Sequence, residues 1–204
     1  MVERDPDGRI TDPKFQEPSL DMSKIIFLDL DGVLANFVDA SFKVHGKEKT
    51  KPVDTWDYYQ EWGMTAAEFF RPMSFNYWES LDKLPLADWL VDVVYGYTTC
   101  RVGVLTSPCT TPGCVEGKRA WIEKHYPRLA SRIVFTGNKG LLSHPDALLI
   151  DDSDKNCSDF RLGRGWTYLW PQPWNRNSDL AAHGNELLKE RFLSYLGAFL
   201  LCSS

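Results

Sequence analysis

A short apolar run ending in two aspartates constrains this chain more than any other feature. The segment reads Lys24-Ile25-Ile26-Phe27-Leu28-Asp29-Leu30-Asp31-Gly32-Val33-Leu34. Ile25 to Leu28 is continuous, apolar and rich in β-branching, with no polar alternation. That pattern predicts a strand buried on both faces of a parallel sheet. Parallel strands need crossover connections, usually helices, so the run already predicts an α/β fold. Asp29 and Asp31 then emerge where the strand ends, at the sheet edge where open α/β folds place their ligands. Gly32 lets the backbone turn sharply or approach a ligand closely. Taken alone, Asp-x-Asp-Gly is also a common solvated turn.

Three later apolar runs end in the same way. Val102 to Leu105 leads into Thr106-Ser107-Pro108, Ile133 to Phe135 into Thr136-Gly137-Asn138-Lys139, and Ala147 to Ile150 into Asp151-Asp152-Ser153. In a parallel sheet these strand ends lie along one edge, so their polar groups can converge. Carboxylates gathered in this way repel unless a cation joins them, and hard oxygen ligands suit Mg²⁺. Hydroxyl and ammonium donors beside such an ion are what a phosphate dianion requires.

Asp29-Leu30-Asp31-Gly32-Val33-Leu34, Thr106-Ser107-Pro108, Lys139 and Asp151-Asp152 resemble, in order and spacing, the four motifs of the haloacid dehalogenase superfamily of phosphatases. More closely, Asp31 to Phe37, Trp78-Glu79-Ser80, Leu105 to Pro108, Cys114 to Lys118 and Leu149 to Asp152 resemble the 5′(3′)-deoxyribonucleotidases. The resemblance runs from about Lys24 to Asn175. It implies a Rossmann-like, doubly wound, mostly parallel sheet with a small helical cap inserted after the first strand. The expected organisation is a flexible N-terminal extension over 1–23, a catalytic core over 24–36 and 84–204, and the cap over 37–83.

Composition restricts the alternatives. The 204 residues are 43% hydrophobic and 25% charged, as in an ordinary globular protein. No apolar run approaches the ~20 residues needed to span a bilayer. The first 23 residues are polar, contain three prolines and lack the apolar stretch of a secretory signal, so no chemistry is assigned to them. The formal charge of −5, with no basic cluster, argues against a long nucleic-acid partner. A mononucleotide, whose charge a bound metal offsets, remains compatible. Five cysteines without a regular framework suggest reduced thiols and a cytoplasmic setting. Cys109 and Cys114 alone cannot complete a structural zinc site, and one recruiting Cys100 or Cys157 is the minority reading.

Between Phe37 and about Lys83 aromatic residues crowd into a segment without long β-branched runs. Met64 to Phe70 predicts a short helix with Thr65 as N-cap. Most of these rings suit a small apolar core. One or two facing the cleft would supply a stacking platform for a planar base. Phe37 is favoured by the family resemblance, and Trp56, Trp62, Phe75 and Trp78 are not ranked. Beyond the cap, apolar spacing predicts helices over Leu86–Tyr97, Val115–His125, Ser153–Leu162 and Leu187–Leu201, and a fifth strand over Gly165–Trp170. The buried side of the second of these is expected to carry Val115, Ile122 and either Trp121 or Tyr126. The four histidines are given no role, and Trp174 fits either a family-like Pro-Trp-Asn loop or plain packing.

The resemblance implies the following chemistry. Asp29 is the nucleophile and Asp31 the general acid, while Thr106, Ser107, Lys139 and Lys118 bind phosphate. Mg²⁺ is held by Asp29, the Asp31 carbonyl, Asp152 and, directly or through another group, Asp151. Lys118 reads equally well as a solvated helix lysine. The preferred function is a Mg²⁺-dependent phosphatase of nucleoside monophosphates acting through an aspartyl-phosphate. A sugar-phosphate phosphatase or mutase and a catalytically silent binding module are the alternatives. Base preference and oligomeric state are not legible, a homodimer being one option.

Overall fold

A computed structural model describes residues 24–96 and 101–202. The expected extension over 1–23, together with Tyr97 and Cys100, lies outside the described residues. The elements follow in chain order as β1 (Ile25–Leu28), α1 (Phe37–Val44), α2 (Ala66–Phe70), α3 (Phe75–Glu79), α4 (Ala87–Gly96) and β2 (Arg101–Thr106). After these come α5 (Cys114–His125), β3 (Ile133–Phe135), β4 (Ala147–Asp151), α6 (Asp154–Leu162), β5 (Trp166–Leu169), α7 (Ser178–Ala182) and α8 (Asn185–Leu201). All five strands pair in parallel, in the order β3-β2-β1-β4-β5.

The continuous apolar runs are explained by two-sided burial. Ile26, Leu28, Val104 and Ile150 face an apolar cluster that includes Leu90 of α4, Trp121 of α5 and Phe192 of α8. Phe27, Leu105 and Leu149 face the other side, against Phe160 of α6. The sheet is therefore doubly wound. The chain runs outward from β1 through β2 to β3, then returns across β1 to β4 and β5. That reversal lies between β1 and β4, the position at which such sheets open a crevice at their carboxyl edge.

Between β1 and α4 the chain holds α1, a 3₁₀ turn at Tyr58–Trp62, α2 and α3, with no strand. It leaves and re-enters at one place, where Asn36 N donates to Asp82 O at 2.8 Å and Leu84 N to Leu34 O at 2.8 Å. Thr65 caps α2 with a reciprocal Glu68 contact, as its sequence predicts. The aromatics of this segment do not form a separate small core. Phe37, Tyr58, Phe69 and Trp78 belong to the same apolar cluster as the sheet.

Helix α5 corrects one expectation. Its buried side is Cys114, Lys118, Trp121 and Ile122, while Val115 is only half-buried. Gly117 allows α3 to pack closely here, since a Cβ at that position would lie 2.6 Å from Phe75 O and 2.7 Å from Trp78 Cβ. At the opposite edge, Lys24 is buried and its ammonium donates to the Phe199, Leu200 and Cys202 carbonyls at the end of α8.

Candidate active site

β1 and β4 end side by side, which brings Asp29, Asp151 and Asp152 together. Their carboxylate oxygens lie within 4.8 Å of one another and all three residues are buried. Lys139, from the turn after β3, inserts its ammonium 2.7 Å from Asp29 Oδ1 and 2.6 Å from Asp151 Oδ2. Burial opposes its charge, but Asp29 and Asp151 outweigh that effect and raise its pKa.

The two β4 aspartates differ in their surroundings. Asp151 is saturated by protein donors: Ser153 N at 2.8 Å, Lys139, and Asn156 Nδ2 at 3.2 Å from both oxygens. Asp152 lines the cleft and accepts Trp174 Nε1 on Oδ2 at 2.7 Å. Burial, then neighbouring carboxylates, push both groups upward, Asp151 to about 6 and Asp152 well above its ordinary value. Asp29 Oδ1 meets Lys139 off the direction of a hydrogen bond, and Asp31 Oδ1 is buried without a partner among the described residues. Three buried carboxylates against one ammonium, with an orphaned oxygen among them, fit a small divalent cation with hard oxygen ligands. Gly32 makes this geometry possible. Its φ is +78°, and a Cβ there would overlap Asp152 Oδ2.

Asp31 turns its side chain away from that cluster. Its Oδ2 accepts Lys118 Nζ at 2.5 Å. Lys118 also donates to Ser107 O at 2.8 Å and Thr106 Oγ1 at 3.4 Å, and stands 4.6 Å from the Trp78 ring centroid. It is 2% exposed, so the reading as a solvated helix lysine is ruled out. Burial raises the Asp31 pKa, Lys118 opposes that and Asp29 adds to it. A carboxyl group biased toward its protonated form, beside but separate from a second carboxyl group, is the arrangement that acid–base chemistry needs.

A cleft of about 560 Å³ opens over these groups, lined by Asp29, Asp31, Ser107, Lys118 and Asp152. Thr106 and Lys139 lie beneath it, buried. Of the five aromatics considered for a base, Phe37, Trp56 and Trp78 line the cleft. Trp62 and Phe75 are not among its lining residues. Trp62 packs edge-on to Phe42 and Tyr58, and Phe75 starts α3 with its backbone against Gly113 and Gly117. Phe37 is 2% exposed, stacked by Trp56 at 5.4 Å and Trp78 at 5.6 Å, with Phe69 and Tyr77 on its edges. It has no free face for a base. Trp56, 38% exposed, and the half-buried Trp174 present rings to the opening.

Asn156 and Gln172 carry no motif-level signal of their own, and Asn175 only as the end of the family-like Pro-Trp-Asn loop, yet they hold the site. Gln172 Nε2 donates to Gly32 O at 2.6 Å, and Asn175 Nδ2 to Asp152 O at 2.8 Å. Cys109 also lines the cleft, and its backbone N–H reaches Cys114 Sγ at 3.1 Å. Cys157 stands apart on α6, its thiol toward Asp151 O. Among the described residues, the metal-compatible group is the aspartate cluster and contains no cysteine.

A model of the family described as 5′ nucleotidase, deoxy (Pyrimidine), cytosolic type C protein matches residues 23–184. The chain belongs to this family. It is accordingly a phosphoric monoester hydrolase of the 5′-nucleotidase type, and its motif resemblance to the haloacid dehalogenase phosphatases holds. Among solved structures it is similar to the HAD-hydrolase YfnB from Bacillus subtilis bound to magnesium, at 13% identity and a TM-score of 0.47. That match covers 71% of this chain and 85% of the other. No curated protein matches the chain. No helix among the described residues is long and apolar enough to cross a membrane.

Proposed function

We propose that this nucleotidase hydrolyses nucleoside monophosphates, with Asp29 as nucleophile, Asp31 as general acid and base, and Mg²⁺ as cofactor. The observation that carries this reading is the division of labour among the buried aspartates. Asp29 joins Asp151 and Asp152 around Lys139, while Asp31 is turned aside onto Lys118. Asp29, the Asp31 carbonyl and Asp152 would hold Mg²⁺, which would supply the positive charge that lets a phosphate dianion enter a carboxylate cluster. Asp151, already saturated by donors, orients Lys139 and the end of β4.

An Asp29 oxygen attacks phosphorus as the bond to the nucleoside oxygen breaks, leaving an aspartyl-phosphate. Asp31 gives its proton to the departing oxygen and then takes one from the water that attacks the phosphorus, as the bond to Asp29 breaks and returns its carboxylate. Ser107, Thr106, Lys118 and Lys139 supply donors for the phosphoryl oxygens, a role typically worth ~3 to 4 kcal/mol per well-placed group. Residues 37–83 act as a cap over a core made of 24–36 and 84–204. The family's name supports a nucleotide as substrate and a cytosolic location.

The deciding experiment is single-turnover reaction with a nucleoside 5′-monophosphate and Mg²⁺. Wild type should accumulate a hydroxylamine-sensitive phosphoenzyme and Asp29→Asn should form none, with its fold intact. Near-wild-type hydrolysis by Asp29→Asn overturns the covalent mechanism.

A further inference from the structure

Trp174 touches the site from a part of the chain that supplies none of the catalytic motifs. Its indole N–H donates to Asp152 Oδ2 at 2.7 Å, the one hydrogen bond to that carboxylate among the described residues. The same oxygen packs against Gly32, where an added Cβ would overlap it and lie 3.1 Å from Trp174 Cζ2. The loop carrying Trp174 is itself anchored. Buried Asn175 donates to Asp152 O and Trp170 O, both at 2.8 Å, and Gln172 donates to Gly32 O at 2.6 Å. Beyond Asp152, the indole ring lies 5.8 Å from Trp56 at the mouth of the cleft.

We infer that Trp174 is a positioning residue that fixes the Asp152 carboxylate for the cation through its indole N–H. A carboxylate at a strand end rotates about two side-chain bonds. An N–H on one oxygen stops that rotation and leaves the other oxygen for the metal. Groups that orient metal ligands in this way typically govern metal affinity about 10- to 100-fold. The inference rests on the Mg²⁺ reading above, and the donor and its geometry belong to this chain.

The test is calorimetric titration of Mg²⁺ into wild type, Trp174→Phe and Trp174→His, with melting curves to check the fold. Trp174→Phe keeps an aromatic ring and loses the donor, so it should bind Mg²⁺ about tenfold more weakly or worse. Trp174→His, which retains a ring N–H, should recover part of the loss. At saturating Mg²⁺, kcat of Trp174→Phe should return toward wild type, which a general packing defect would not do. Binding within twofold of wild type by a folded Trp174→Phe overturns the inference, and intact nucleotide hydrolysis in the same sample leaves the nucleotidase reading standing. Should Trp174→Phe fail to fold, the indole N–H resonances of the wild type decide. One of them must be shifted both by Mg²⁺ and by Asp152→Asn, and its absence overturns the inference. A wild type that hydrolyses nucleotides yet binds no Mg²⁺ overturns both this inference and the metal assignment.

Discussion

Lys118 Nζ meets Asp31 Oδ2 at 2.5 Å, and the two residues come from elements 87 positions apart in the chain. The lysine comes from the first turns of α5 and the aspartate from the bend after β1. The contact ties Asp31 to the segment holding Thr106 and Ser107, because the same ammonium donates to both of those residues.

Lys118→Met should therefore damage chemistry more than substrate binding. It removes the cation that joins Thr106 and Ser107 to Asp31 and frees Asp31 to rotate. Loss of one preorganised donor commonly costs about 10² to 10³ in kcat. Steady-state kinetics should show a fall of that order in kcat with a smaller change in KM. A change confined to KM would assign Lys118 to ground-state binding alone.

Lys118 also shows what the sequence conceals. Cys114, Lys118, Trp121 and Ile122 fall on one helical stripe, and the structure buries all four. That spacing was available in the sequence, but a lysine on an apolar stripe is usually exposed, and only its fold partner Asp31 reverses the expectation. The strand-end motifs were legible because a strand buried on both faces is an unbroken apolar run, so the polar residues that end it stand out. Gln172 was not, and Asn175 was legible, without its partners, only as part of a family-like loop. They bond to Gly32 and Asp152, 140 and 23 residues away, and no local pattern encodes such contacts. The aromatics of the inserted segment were legible as a group only, since which ring faces the cleft is settled by packing against distant residues.

Phe37 and Trp56 should separate in mutagenesis. Phe37→Ala removes a fully enclosed ring and should lower stability by ~3 to 5 kcal/mol, with nucleotide and ribose 5-phosphate hydrolysis affected alike in the folded fraction. Trp56→Ala removes a ring at the mouth and should lower kcat/KM for a nucleotide by ~1 to 3 kcal/mol, the usual worth of a base stack. Ribose 5-phosphate should change little. Equal losses for both substrates in Trp56→Ala would deny it a role in base recognition.

Gly32→Ala should be harmful for two reasons. Its φ of +78° is costly for any residue with a Cβ, and that Cβ would collide with Asp152. The backbone cost alone is about 1 to 2 kcal/mol, which at this chain length corresponds to a fall in Tm of at least ~2 °C. Differential scanning calorimetry reads the first effect and Mg²⁺ titration the second. A variant matching wild type in both would contradict the contact.

Cys109 should alkylate before the buried thiols. A hydrogen bond from Cys114 outweighs burial and, with Thr111, lowers its pKa to about 6, while burial and the Cys109 contact raise that of Cys114. A lowered pKa keeps the thiolate populated as pH falls, so the iodoacetamide rate should level off above about pH 6. An ordinary thiol would go on accelerating to near pH 8.5. Peptide mapping against Cys109→Ser identifies the site, and a rate still climbing between pH 7 and 9 would refute the shift.

The strand order places β1, the first of the described strands to leave the ribosome, at the centre of the sheet. Its pairing edges belong to β2 and β4, and β4 ends at Asp151. At ordinary synthesis rates, on the order of ten seconds separates translation of β1 from that of β4. Until β4 follows, Ile25 to Leu28 is an apolar strand with at least one pairing edge open, the kind of segment that holdase chaperones retain. Full-length expression should therefore depend more on chaperone supply than the stability of the finished sheet suggests, and Asp29 at the end of β1 meets Asp151 and Asp152 only after β4 has been made.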